Sequence, residues 1–148
     1  GTLNLFGVAA LSASQDWLDG RGGVDRIASE ERGLTEHLLH GLGSIDGVRV
    51  YGDVRAEEHL PVVSLNVEGM TANNVGTLLD VKFGIATRTG LQCAPRVHQA
   101  LGTVERKGTV RISLGPFNTE QHVTVVIEAL RDIVTRHGDV SPKGDSRS

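Results

Sequence analysis

The chain has 148 residues and a formal net charge of −3 at pH 7, which predicts one domain with a real core and gives nucleic acid or an anionic membrane no electrostatic claim on it. No apolar run approaches the roughly 18–20 residues needed to cross a bilayer, no charged-then-apolar signal opens the chain, and the first residue is not Met. A single cysteine permits no internal disulfide, so a reducing, cytoplasmic setting is expected.

From Leu5 to Leu18 apolar residues are dense enough for a helix, with Val8, Leu11 and Leu18 on roughly one face, and GRGG at 20–23 breaks it. Between Val24 and Ile45, the residues Ile27, Leu34, Leu38, Leu42 and Ile45 recur as an amphipathic helical stripe. Gly33 and Gly41 within it mark tight packing or a weak end. Asp46-Gly47 stops that helix, and the strand VRVYG follows. Residues 61–69 alternate, with Val63, Leu65 and Val67 on one face and Ser64, Asn66 and Glu68 on the other. Thr71 can cap a helix carrying Val75, Leu78 and Leu79, which Gly84 ends. IATRT, 85–89, reads as a short strand, and Pro95 suits the first turn of a short helix. Residues 108–115 form another alternating strand, with Val110, Ile112 and Leu114 opposite Thr109, Arg111 and Ser113. Asn118 with Gln121 fits a capping box for a last helix reaching about His137 on Val123, Ile127, Leu130 and Val134. The polar stretch 139–148 reads as a frayed tail.

This order, α-α-β-β-α-β-(short α)-β-α with half-polar strands, predicts an α+β domain: a mostly antiparallel sheet with helices packed on one face. The other face carries Arg49, Tyr51, Ser64, Asn66 and Arg111. It is either solvated or covered by something outside this chain.

Cys93 lies in RTGLQCAP, 88–95, a loop punctuated by Gly and Pro just before the helix that Pro95 opens. A lone cysteine is commonly a small buried hydrophobe. A helix N-terminus and nearby guanidinium groups, however, are the surroundings that favour a thiolate. Arg111 on the polar strand face is a solvated residue or a planar fork for a carboxylate. Arg88 has a similar case nearer the loop. The histidines are weaker candidates. His37 and His40 are three apart on a helix with no further metal ligand at a suitable distance. His59, His122 and His137 sit at surface positions, and His98 is near enough to Cys93 in sequence to polarise a thiol. No GxxxxGK or GxGxxG phosphate loop occurs.

RTGLQCAP, followed by GTVRISLGPFNTEQHV and preceded by the opening GTLNLFGVAAL, resembles the C-terminal part of the cysteine desulfurase and selenocysteine lyase family. These are class V aminotransferase-like, fold-type I enzymes that use pyridoxal phosphate. The likeness covers about residues 1–137 and leaves 138–148 as tail. It implies that Cys93 attacks the sulfur of L-cysteine and carries a persulfide while alanine departs, and that the same chemistry with selenocysteine releases selenium. Arg111 would grip the substrate carboxylate with Arg88 near the same pocket. Thr2, after Gly1, would reach the cofactor phosphate of the neighbouring subunit of a homodimer. The RxGxxC spacing resembles the branch with a tight cysteine loop, which depends on a separate sulfur-acceptor protein. The family's cofactor lysine has no counterpart, because Lys82, Lys107 and Lys143 do not match its motif. The resemblance therefore implies a C-terminal domain without its N-terminal pyridoxal-phosphate domain, inactive alone and binding no cofactor by itself. Another class V reaction (transaminase, lyase or epimerase) and a non-catalytic thiol or partner-binding module remain as alternatives.

Overall fold

The computed structural model describes residues 2–52 and 60–138. The expectations for Gly1, His59, Lys143 and the stretch 139–148 lie outside the described residues, as does the side chain of His137. The elements are α1 (Leu5–Gly20), α2 (Gly23–Gly43), β1 (Val48–Tyr51), β2 (Val62–Val67), α3 (Ala72–Phe83), β3 (Arg88–Gly90), α4 (Pro95–Ala100), β4 (Thr109–Ser113) and α5 (Glu120–Gly138). Their order is the predicted one. The four strands form one sheet in the order β1-β2-β4-β3, with every neighbouring pair antiparallel. This is the α+β architecture expected.

The alternation in the strands decides which face is covered. Val63, Leu65, Val67, Val110 and Ile112 are buried, and they meet Leu38 and Leu42 of α2, Val75 and Leu79 of α3, and Val123, Ile127 and Leu130 of α5 in one cluster. Burying each such side chain is worth about 1.5–3 kcal/mol relative to exposure. α2 and α3 lie on the sheet, and α5 packs against both of them. A Cβ on Gly41 would collide with the side chain of Ile127 on α5, so of the two helix glycines Gly41 marks tight packing; Gly33 faces open space.

Boundaries shift where local hydrogen bonds outcompete pattern. α2 ends at Gly43, and Ile45 is buried from the turn beyond it, where Gly47 at φ 86° redirects the chain into β1. Thr71 does cap α3, its Oγ1 accepting from the Asn74 amide at 3.3 Å, and Gly84 does end it, at φ 65°. The Ile85 amide then donates to Leu79 O at 2.9 Å, so the strand expected over 85–89 begins only at Arg88. The capping box of α5 is one residue later than expected. Thr119 Oγ1 accepts from the His122 amide while His122 Nδ1 accepts from the Thr119 amide, both at 3.3 Å. Asn118 instead closes the preceding turn, its Oδ1 accepting from the Gly115 amide at 2.8 Å.

α1 forms as expected but buries no residue. It leans on α2, and its far end is tied down by Trp17, whose ring lies 5.1 Å from that of Phe117. Leu5, Phe6, Val8 and Leu11 are all exposed, Phe6 by 90%. Its first turns, residues 5–11, are apolar on every side, a surface that normally belongs in an interior. No described helix is long and apolar enough to cross a membrane.

Candidate active site

The uncovered face of the sheet holds the polar residues that the alternation placed there. Register aligns Tyr51 with Ser64, Ser64 with Arg111, and Arg111 with Arg88, so these four form a row straight across β1, β2, β4 and β3. In the next row Arg49 opposes Asn66, and its guanidinium carbon sits 5.2 Å from the centre of the Tyr51 ring.

Arg88 and Arg111 are directly opposite, a relation that brings Cβ atoms to about 4.5–5.5 Å and is destabilising for like charges. Among the described residues the ion pairs are Arg21–Glu30, Arg26–Glu30 and Arg136–Asp132, all on helices or the turn between α1 and α2. Neither sheet arginine has an acidic partner there. The Nε of Arg111 is buried and finds no acceptor among the described residues. Leaving such a donor unmatched costs about 1–3 kcal/mol or more. Two arginines paired across neighbouring strands, one with a spare buried donor, have the chemistry to receive a carboxylate or a similar planar anion.

Cys93 comes five residues after Arg88 and is exposed. It sits in a turn from Leu91 to Ala94, closed by the Ala94 amide donating to Leu91 O at 2.9 Å. The two central residues, Gln92 and Cys93, have φ of 51° and 61°. That pair of left-handed residues is the type I′ arrangement, normally filled by Gly, Asn or Asp. For ordinary L-residues it costs about 1–2 kcal/mol each. Ala94 then caps α4 without a side-chain bond, and Pro95 opens the helix as expected. The thiol therefore projects from a strained turn at a helix start, not from a core position.

Two neighbours and one of the turn's own side chains over-determine this turn. Gly108, at φ 93°, lets the start of β4 press on the backbone of Gly90 and Leu91, which any Cβ there would strike. Asn66, buried to 1% exposure, donates from Nδ2 to Gly108 O at 3.1 Å and to the Tyr51 hydroxyl at 3.3 Å. Gln92 donates from Nε2 to Thr109 O at 3.3 Å and, at 3.5 Å, to Arg88 O. Sequence reasoning placed Asn66 on the polar face without foreseeing its burial, and it did not single out Gln92; neither contact has a local sequence signal. His98 is not available to polarise the thiol. It is buried, with Nδ1 2.7 Å from Thr103 Oγ1, and so braces the loop between α4 and β4.

The two lysines among the described residues do not fit a pyridoxal phosphate site. Lys82 is exposed in the last turn of α3, and Lys107 is exposed in the turn before β4 at φ 59°. Neither is on the polar sheet face. Thr2 is exposed ahead of α1 and is not brought into the row of arginines. No group of three or more potential metal ligands occurs among the described residues.

Comparison with known proteins places the chain in a family. The family model "Aminotransferase class-V" matches residues 1–126. A probable cysteine desulfurase of Methanothermobacter thermautotrophicus is 35% identical over 133 residues, 90% of this chain and 32% of that protein. A cysteine desulfurase of Cronobacter sakazakii is 34% identical over 130 residues, 88% of this chain and 30% of that protein. Among solved structures, the apo cysteine desulfurase of Thermococcus onnurineus NA1 superposes with a TM-score of 0.82 at 31% identity, covering 92% of this chain and 32% of that one. The chain thus spans about a third of the length of the relatives it matches.

Proposed function

The chain belongs to the class-V aminotransferase family, and on that premise we propose that it is the C-terminal domain of a pyridoxal-phosphate-dependent cysteine desulfurase. Cys93 accepts sulfur from L-cysteine, and Arg111 with Arg88 holds the substrate carboxylate. The observation that carries this reading is the opposed Arg88–Arg111 pair on the open sheet face, with the Cys93 turn leading directly from the strand that bears Arg88. An amino acid whose carboxylate bridges the two guanidinium groups would be held by its fixed end while the thiol approaches its side chain.

Pyridoxal phosphate would be held by the N-terminal domain that the relatives' greater length implies, and it supplies the electron sink for cleavage of the substrate carbon–sulfur bond. This chain's contribution is binding and nucleophilic attack. The Cys93 thiolate forms a bond to the substrate sulfur as the carbon–sulfur bond breaks. That bonding pair stays with carbon, which takes up a proton and leaves as alanine. Sγ is left as a persulfide. The sum is balanced: thiol plus cysteine gives persulfide plus alanine, with no external oxidant.

Two surfaces support the fragment reading. The sheet's polar face and the all-apolar first turns of α1 both suit burial against a further domain, which the exposed Phe6 and Leu11 would enter. Thr2, just ahead of that helix, would serve the cofactor phosphate of a neighbouring subunit in a cytoplasmic homodimer. The exposed thiol is open to a sulfur-acceptor protein.

The test is sulfide and alanine release from L-cysteine by the holoenzyme carrying this chain. Cys93→Ala should abolish sulfide release, and sulfide release at the unmodified rate would show the acceptor assignment to be wrong. Without the rest of the enzyme, added pyridoxal phosphate should give no Schiff-base absorbance; a stoichiometric band would contradict the missing-domain reading.

A further inference from the structure

The turn that presents Cys93 lacks the residues such a turn normally uses. Neither Gln92 nor Cys93 is Gly, Asn or Asp, yet both are left-handed. The following helix start contributes no side-chain cap. The compensating contact from within the turn is the Gln92 side chain. Both groups within its reach are backbone carbonyls, so the amide must present its NH2 end to them. Thr109, whose carbonyl it reaches at 3.3 Å, is the β4 residue paired with Gly90, the last residue of β3. The side chain of Gln92 therefore acts as one more rung after the β3–β4 ladder has ended. Because it turns inward to do so, the next side chain of the turn is the exposed Cys93.

We propose that Gln92 is the positioning residue of the sulfur-acceptor loop: its side-chain amide clamps the turn to the start of β4 and so fixes where the Cys93 thiol stands relative to the arginine pair. The proposal rests on the reading of Cys93 as the acceptor. Gln92 touches no substrate atom and acts only through the turn.

Gln92→Met keeps the length of the side chain and removes the donor; Gln92→Lys restores a donor of similar reach. In the 148-residue chain, exchange of the Ala94 amide, the proton that closes the turn, should quicken about five- to tenfold in Gln92→Met, the factor expected for one neutral hydrogen bond, and return toward the wild-type rate in Gln92→Lys. In the holoenzyme, Gln92→Met should lower kcat for sulfide release while KM for L-cysteine is unchanged, since Gln92 bonds to Arg88 only at its backbone and to neither guanidinium group. A purely structural residue would move the melting temperature and leave that split unmoved. If Ala94 exchange and kcat both stay at wild-type values in Gln92→Met, the clamp does not exist. A rise in KM at constant kcat also overturns it. Neither result touches the acceptor assignment, which stands or falls on Cys93→Ala.

Discussion

Replacing Gly108 by Ala should unseat the floor of the Cys93 loop, at a cost that can be worked from two separate effects. Gly108 is at φ 93°, where an L-residue pays at least the left-handed cost of about 1–2 kcal/mol. The added methyl would also meet backbone atoms of Gly90 and Leu91, which cannot rotate aside as a side chain could. Overpacking of that kind costs about 1–3 kcal/mol. The sum is about 2–5 kcal/mol, a large share of the stability of a small domain. Urea unfolding followed by circular dichroism measures it directly: with a slope of about 1–3 kcal/mol per molar, the midpoint should fall by about 0.7 M or more. Gly33→Ala is the matched control, because Gly33 is helical and faces open space. The same methyl there should stabilise by about 0.5–1 kcal/mol. If Gly108→Ala lowers stability by less than about 1 kcal/mol, on the low side of the overpacking range, the close approach of β4 to the loop is wrong.

Other outcomes follow from the same packing and charges. Arg111→Lys, which keeps the charge and loses the planar fork, should raise KM for L-cysteine in the holoenzyme by about tenfold or more, the scale of one charge-assisted hydrogen bond; an unchanged KM would remove Arg111 from the carboxylate site. Leu65→Ala, at a side chain with no exposure, should cost about 2–5 kcal/mol in urea unfolding, and a loss under 1 kcal/mol would argue against its central place in the core. Hydrogen bonds from Arg26 and Arg21 hold the exposed Glu30 carboxyl below its ordinary titration range. Its folded-state value is thus depressed, so the stabilisation is present above the unfolded value and disappears as pH falls through the folded one. A carbon-detected NMR titration should show the low midpoint, and Arg26→Ala should raise it toward that of a free glutamate.

Much of the fold was legible because its strands are half-buried. Val63-Ser64-Leu65-Asn66-Val67 can satisfy one apolar face in only one way, and that alternation alone put Arg111 on the same side as Ser64 and Asn66. The opposition of Arg88 and Arg111 was not legible, since it depends on which strands pair and in what register. The capping position of α5 was read one residue early, because Asn118 and Thr119 are both good caps and only the turn at Gly115 decides between them. Most of what supports Cys93 was also hidden. The contacts of Gly108 with Gly90, of Asn66 with Gly108 and of Gln92 with Thr109 join residues 17 to 42 positions apart, and His98 was drawn away from the thiol by Thr103, a partner that helix periodicity does not mark. α1 was legible as a helix but not as an unpartnered one, because density of apolar residues says that a surface wants covering and not what covers it.

The facing arginines of β3 and β4 also set stability and function against each other. Two like charges held abreast make the ligand-free domain less stable than a neutral sheet of the same shape would be. Any anion that binds between them repays that cost in proportion to its concentration over its dissociation constant. Substituting Arg88 by Thr should therefore raise the melting temperature of the ligand-free chain while abolishing the further rise that a small carboxylate gives the wild type. The pair is thus a cost to the empty domain that only a bound anion would offset.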